Sequence, residues 1–329
     1  MTKRPHLDNL PSSTFSSGLN EWADFAEMSC LFSNDGEVSW SDIFLRHEVE
    51  NVDDDESEIP RNELDDFDSM AGADIFRLIR ARKEILGEYY PFELVDEDTI
   101  CIANSFDVKK VFYSYLLFSS NLRLVDRSCW KDLTGAFEHI SAHILRIIYP
   151  SFTCEVFGTS HNSSGVFSGS TRGERLGKLA ELLHGSLTTS LQRDPSLTTT
   201  AGDEGLDVVA FCELDASRGK VSKIPVCLAQ CSCSYSEWVD KQQSITTGRW
   251  QGKIEGIASC HEYIFVPFPV RDSRNMWHPT FESDIIVTLV DRIRIINILS
   301  THEDDLSFFA EMEVCSHLTR ILKEGGIDL

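Results

Sequence analysis

The chain has 329 residues with 53 acidic and 30 basic side chains, a formal net charge of −23. No run of about eighteen apolar residues occurs, which excludes a helical membrane span, and a length well above one typical domain predicts two domains, or one with elaborate insertions. The opening Met1-Thr2-Lys3-Arg4-Pro5 leads into polar, Ser-rich sequence, so a cytoplasmic protein is expected. Ten cysteines without regular spacing or a CxxC pair read as reduced thiols, which argues against a structural zinc.

The acidity is uneven. Residues 1–100 hold 25 acids and 8 bases, a net of −17, and residues 101–329 hold 28 acids and 22 bases, a net of −6. Clusters such as Asp53-Asp54-Asp55-Glu56 and Asp65-Asp66 repel phosphate. They fit either a solvated stretch or a face that docks a basic partner or covers a cleft as a nucleic-acid mimic.

In chain order, residues 5–20 are expected to be irregular, and Glu21–Phe32 carries Trp22, Phe25, Ala26 and Cys30 at helical offsets. Val38–Phe44 reads as a short strand or helix. Asp74–Leu86 is amphipathic, begun by Asp74 or the turn before it and ended by Gly87. Its stripe of Arg77, Arg80 and Lys83 is either a solvated face or a nucleic-acid contact. Tyr89–Leu94 and Asp98–Ala103 predict two short strands around an acidic turn, and Asp107–Phe118 a further helix. Residues 1–125 are expected to form an acidic accessory or partner-interaction region.

Residues 126–329 open with a strong helix over 132–148, its stripe formed by Phe137, Ile140, Ile144 and Ile148, with Glu138 beside it. A short strand, Phe152–Gly158, precedes a Ser/Gly-rich loop over His161–Arg172 and a helix over Gly173–Leu183. Residues 158–201 separate this strand from the next, and the family likeness given below implies that they are an insertion. Asp207–Phe211 and Ile224–Gln230 then form a β-hairpin that sets Asp207 beside Gln230 at one sheet edge. A carboxylate and an amide at one edge suit a hard divalent cation, which takes oxygen ligands. Replacing Asp207 there is expected to relieve charge crowding and leave the melting midpoint within a few degrees. Cys231, one position on, faces the opposite side of the strand and reads as core.

Ser236–Gln243 predicts a helix that carries Lys241 within reach of the same edge. Read by itself, its ammonium is an ordinary solvated lysine; the family likeness given below implies instead a phosphate-facing cation. Beyond it come a buried strand within Ser259–Val270, an apolar segment over Ile285–Leu299 and a helix over Asp304–Lys323. Arg249, Lys253, Arg271, Arg274, Arg292 and Arg294 supply positive charge to this half.

The order Gly202-Asp203-Glu204-Gly205-Leu206-Asp207, then a strand ending Gln230-Cys231-Ser232, resembles the Mrr-like branch of the PD-(D/E)xK, restriction-endonuclease-like nucleases. Phe137-Glu138 matches the FE pair of that family's first core helix, and Ser232 stands where the family has Lys. The likeness covers roughly residues 130–245. It implies an α/β restriction-endonuclease-like core with a central mixed sheet flanked by helices, in a metal-dependent nuclease acting on DNA in preference to RNA. Magnesium, with manganese able to replace it, would be held by Asp207, Glu138 and the backbone carbonyl of Cys231. Gln230 would position the metal or its water, and Lys241 would replace the absent lysine. Glu174 and Glu181 compete with Glu138. The resemblance further implies a restriction or antiviral-defence setting with a helicase, ATPase or sensor subunit as partner. The other reading is a catalytically degenerate nuclease-fold subunit that binds or scaffolds.

Overall fold

The computed structural model describes the chain except residues 1–4, 6, 8, 12–17, 51–60, 158–165, 170, 201–203, 220, 282, 303, 305 and 328–329; side chains are described outside 46–50, 61–69 and 280 as well. The acidic run at 53–58, the side chains of Asp65 and Asp66, His161, Gly202 and Asp203 therefore lie outside the described residues. The chain divides into two compact units. The first gathers residues 1–133, 267–282 and 305–329, and the second residues 134–266 and 283–304.

The first unit is built on α1 (Leu19–Phe32), in which every side chain from Trp22 to Phe32 is buried. A helix buried all round must satisfy its own polar groups. Asp24 and Glu27 do so through Arg82, whose Nη1 lies 2.7 Å from Asp24 Oδ1 and 2.7 Å from Glu27 Oε1. The Tyr113 hydroxyl donates to Glu27 Oε2 at 2.6 Å, and Ser120 Oγ donates to Asp24 Oδ2 at 2.8 Å. Tyr90 donates to Glu27 Oε1 at 2.8 Å, and burial together with that carboxylate holds its phenol well above the usual range. Strands β1 (Glu37–Ser39), β2 (Phe92–Leu94) and β3 (Thr99–Ile102) form an antiparallel sheet in the order β1-β3-β2.

Three helices complete the front of this unit: α2 (Trp40–Glu50), α3 (Arg61–Leu86) and α4 (Val108–Ser120), the last capped by Asp107. The expected start at Asp74 was late, because α3 runs on through Gly72. A Cβ at Gly72 would fall 2.5 Å from the Trp40 indole, so the glycine makes room for a ring rather than a turn. Of the basic stripe, Arg77 pairs with Asp74 and Lys83 with Glu93. Helices Ser307–Ala310 and Glu313–Glu324 also belong to this unit, and the second packs on α4. One continuous C-terminal helix had been expected.

The second unit takes α5 (Trp130–Ile148) from Thr134 onward, followed by β4 (Thr153–Val156) and α6 (Arg172–Leu182). Phe137, Ile140 and Ile144 on the α5 stripe are fully buried, each worth about 1.5–3 kcal/mol relative to exposure. Next come β5 (Ser186–Leu187), α7 (Thr189–Gln192), β6 (Val208–Phe211) and β7 (Val226–Cys231). They are followed by α8 (Trp238–Lys241), α9 (Thr247–Gln251), β8 (Ile254–Glu255) and β9 (Cys260–Phe265). The last elements are β10 (Thr288–Val290) and α10 (Arg292–Thr301).

The architecture is α/β, a central mixed five-stranded sheet flanked by helices, in the order β10-β9-β7-β6-β4. β4, β6 and β7 are antiparallel neighbours, whereas β7, β9 and β10 run parallel. A parallel neighbour needs a crossover, and α8 and α9 lie in the crossover from β7 to β9. The apolar segment over Ile285–Leu299 is two elements. Asp291 accepts from the Arg294 amide at 3.0 Å, caps α10 and so ends β10.

Candidate active site

Pairing of β6 with β7 places Val208 opposite Ala229, and the Asp207 amide donates to Ala229 O at 2.9 Å. One residue further, Asp207 meets Gln230. Gln230 Nε2 donates to Asp207 Oδ2 at 2.7 Å, and the Cys231 amide donates to the same oxygen at 2.7 Å. Asp207 and Gln230 are each only 6% exposed. The expectation that replacing Asp207 simply relieves charge crowding is therefore revised: its carboxylate satisfies one buried and one part-buried donor.

Gln230 is fixed at its other end. Ser244 Oγ lies 2.9 Å from Gln230 Oε1, 2.7 Å from Gly205 O and 2.7 Å from Lys241 O. Gly205 has φ +71°, and a Cβ there would fall 2.5 Å from Ser244 Cβ and 3.0 Å from Gln230 Oε1. Only glycine meets both demands. The backbone before Asp207 and the Gln230 side chain at the end of β7 thus close on one serine, which no pattern in the sequence marks.

Helix α5 approaches the same end of the hairpin. Cys231 Sγ lies 3.3 Å from Ser141 Oγ, one turn beyond the buried Glu138. Glu138 and Asp207 both act on the neighbouring thiols. Cys231 and Cys233 keep part of their surface, yet crowding around each sulfur makes burial the main influence on it. Burial and then Asp207 hold the Cys231 thiol well above its usual range, so it is a poor nucleophile. Burial pushes the Cys233 thiol up to about 12; Lys241 draws it down, while Asp207 and Glu138 push it up. Lys241 is thus within electrostatic reach of the cluster, and its Nζ lies 3.2 Å from Glu237 one turn back. The helix expected over Ser236–Gln243 is an α-helical turn, Trp238–Lys241, continued by a 3-10 turn over Gln242–Ile245.

The competitors of Glu138 have other roles or none here. Glu174 forms a capping box with Thr171 at the start of α6, and Glu181 is exposed on that helix. Ser232 is 1% exposed, and its amide donates to Phe265 O at 2.9 Å. The six arginines and lysines thought to supply positive charge do not act together. Arg271 and Arg274 belong to the first unit, Arg292 is buried, and Arg294 donates to Leu289 O at 2.6 Å. Arg249 and Lys253 meet at Glu204, where Arg172 joins them. Sequence reading missed this grouping because its members come from three separate segments.

Among the described residues no group of three or more His, Cys, Asp or Glu side chains is arranged to hold a metal ion. The oxygen donors that the sequence resemblance assigns, the carboxylates of Asp207 and Glu138 and the Cys231 carbonyl, are of the type that suits magnesium or manganese rather than zinc. Among the described residues no helix is long and apolar enough to cross a membrane. Comparison with protein families, curated proteins and solved structures found no match to this chain.

Proposed function

We propose that the second unit is a magnesium-dependent nuclease that hydrolyses phosphodiester bonds, in DNA in preference to RNA. The observation that carries this reading is the meeting of Asp207, Gln230 and the Cys231 backbone at one end of β6 and β7, next to the turn of α5 that bears Glu138. A helix with a glutamate, followed by a mixed sheet whose neighbouring strands end in an acid and an amide, agrees with the resemblance to Mrr-like enzymes. Asp207, Glu138 and the Cys231 carbonyl would hold the metal. When bound, it would lower the pKa of a water and offset charge on the phosphate.

The chain's own groups then have separate tasks. Gln230, clamped between Asp207 and Ser244, keeps the Asp207 carboxylate in one orientation. Lys241, the cation on the adjoining helix, faces the scissile phosphate and stabilises charge as it develops. Ser232 is too short to do so. In this reading the protein works in the cytoplasm, in restriction or antiviral defence, with a helicase, ATPase or sensor subunit supplying recognition, and the acidic front region meets that partner.

A second reading is favoured by the hydrogen bonds themselves. Both donors on Asp207 Oδ2 come from the protein, and Lys241 is paired with Glu237. That is also how a retired site, kept as a binding or scaffolding subunit, would be held together. Cleavage of single- and double-stranded DNA and RNA by the wild type and by Asp207→Asn, each with magnesium, with manganese and with chelator, separates the two. Metal-dependent cleavage lost in the variant supports the nuclease, and no cleavage of any substrate supports the scaffold.

A further inference from the structure

Three cations converge on one carboxylate at the turn that precedes Asp207. Glu204 is only 10% exposed; Oε1 pairs with Arg172, Oε2 pairs with Lys253, and Arg249 lies 3.6 Å from Oε2. Asp194, 3.5 Å from Arg172, is a second acid of the cluster, so among the described residues three positive charges face two negative ones. This excess stands out in a chain whose net charge is −23.

Two carboxylates, one of them shared by all three cations, do not call for this much positive charge. Arg172 and Lys253 are 14% and 13% exposed, so gathering them costs desolvation as well as mutual repulsion. A phosphate group, with its extra charge and its several oxygens, matches a fork of two guanidinium groups and an ammonium better than one carboxylate does. Arg249 is 45% exposed and opens the cluster to solvent.

Glu204 is also held in a costly way. Its φ is +64°, left-handed for a residue with a side chain, and Gly205 follows at +71°. Withdrawal of the Glu204 carboxylate would let this turn relax. The movement would be felt at once by the Gly205 carbonyl, by Ser244 and through it by Gln230 and Asp207.

We propose that Arg172, Arg249 and Lys253 form a phosphate-binding site that Glu204 occupies in place of the ligand. A phosphate ester displaces Glu204, and the turn leading to Asp207 adjusts as it binds. The site rests on the cluster alone; that the phosphate belongs to a nucleic-acid backbone rests on the nuclease reading above.

The test uses the full chain as wild type, Glu204→Gln and Arg249→Gln. Binding of a short fluorescein-labelled DNA strand is measured by anisotropy over a salt series without metal. Melting is measured in inorganic phosphate and in chloride of equal ionic strength. The expected result is several-fold tighter DNA binding by Glu204→Gln, with a melting midpoint higher in phosphate than in chloride. Arg249→Gln, altered at an exposed position, weakens DNA binding and lowers the slope of log K against log salt by about 1. Wild-type binding and slope in Arg249→Gln, together with no phosphate-specific rise in Glu204→Gln, overturns the site. A phosphate-specific rise without DNA binding supports the site and overturns its assignment to nucleic acid. If Glu204→Gln does not fold, the Arg249→Gln slope decides alone. Because no metal is added, failure of cleavage by the same protein bears on the nuclease reading and leaves this site standing.

Discussion

Gln230 holds Asp207 by a 2.7 Å hydrogen bond from Nε2 to Oδ2, while its own Oε1 lies 2.9 Å from Ser244 Oγ. An amide gripped at both ends cannot rotate without breaking one of these bonds. Asp207 is therefore presented in one orientation, with the Cys231 amide on the same oxygen.

Asp207→Ala removes the acceptor shared by a buried donor, Gln230 Nε2, and a part-buried one, the Cys231 amide. Each donor left unpaired costs about 1–3 kcal/mol, and about 2–4 °C of melting midpoint per kcal/mol applies to a unit of this size. The expected result is loss of metal-dependent cleavage together with a clear drop in the midpoint. Asp207→Asn, which keeps one acceptor, should abolish cleavage with a smaller drop. Calorimetry on both variants checks this, and an unchanged midpoint in Asp207→Ala would contradict the hydrogen-bond account.

Lys241→Ala separates a phosphate-facing lysine from a solvated one. If the ammonium stabilises the transition state, single-turnover cleavage should slow by about 10²-fold or more, with substrate binding affected far less. Stability should change by no more than about 0.5 kcal/mol, because the pair with Glu237 is exposed. The exposed Lys223 is the proper control, since Lys253 is committed to Glu204. Equal rates for Lys241→Ala and Lys223→Ala would remove Lys241 from the mechanism.

Arg82→Met tests the core of the first unit. It would leave Asp24 and Glu27, both fully buried, without their shared cation. Breaking a buried pair on one side costs about 3–5 kcal/mol. Urea unfolding should show the transition of this unit moved to much lower denaturant. A shift within the error of the wild type would mean that the tyrosine and serine hydroxyls suffice to hold these carboxylates.

Acid should loosen the cluster around Glu204. Burial raises the pKa of this carboxylate, but Lys253 and then Arg172 outweigh it and bring it below its ordinary 4.5. Lys253 is also drawn below its usual range, by burial that Glu204 only partly offsets, with Arg249 and Arg172 adding to the shift. The two partners pull in opposite senses for pairing; the carboxylate gives the clearer direction, since its cations outnumber it. A depressed acid contributes stability that is complete above 4.5 and is lost as pH falls through its lower folded-state value. Asp194, lowered by its bonds with Ser196 and by Arg172, acts in the same sense. Urea unfolding of the wild type and Glu204→Gln from pH 6 down to pH 3 should converge, because protonation does what the substitution has already done. Parallel curves would exclude Glu204 as the group concerned.

Local patterns made much of the second unit legible. The α5 stripe appears as Phe137, Ile140 and Ile144 in the core, and the β6–β7 hairpin brings Asp207 against Gln230 as the alternation of its strands required. The same reading ran Ile285–Leu299 together, because the apolar residues continue across Asp291, and only the cap on Arg294 divides strand from helix. Arg82 lies on the same helix as Arg77, Arg80 and Lys83, and nothing in the helical pattern sets it apart from them. Its partners lie 58 and 55 residues earlier, a separation at which periodicity carries no information. The cluster at Glu204 was hidden for the same reason: Arg172, Glu204 and the pair Arg249 and Lys253 lie in three separate segments.

The division of the chain also sets an order of assembly. Residues 134–266 are one contiguous stretch, to which the second unit still adds 283–304, whereas the first unit waits longer, for the helix Glu313–Glu324 to cover α4. At about 5–20 residues per second, the ribosome takes on the order of ten seconds to make that contiguous stretch. During this time α4 is without the helix that packs on it, and its apolar side is open to chaperones. The segment made first is therefore finished last, and a translational pause downstream of Val266 would prolong the exposure of the first unit.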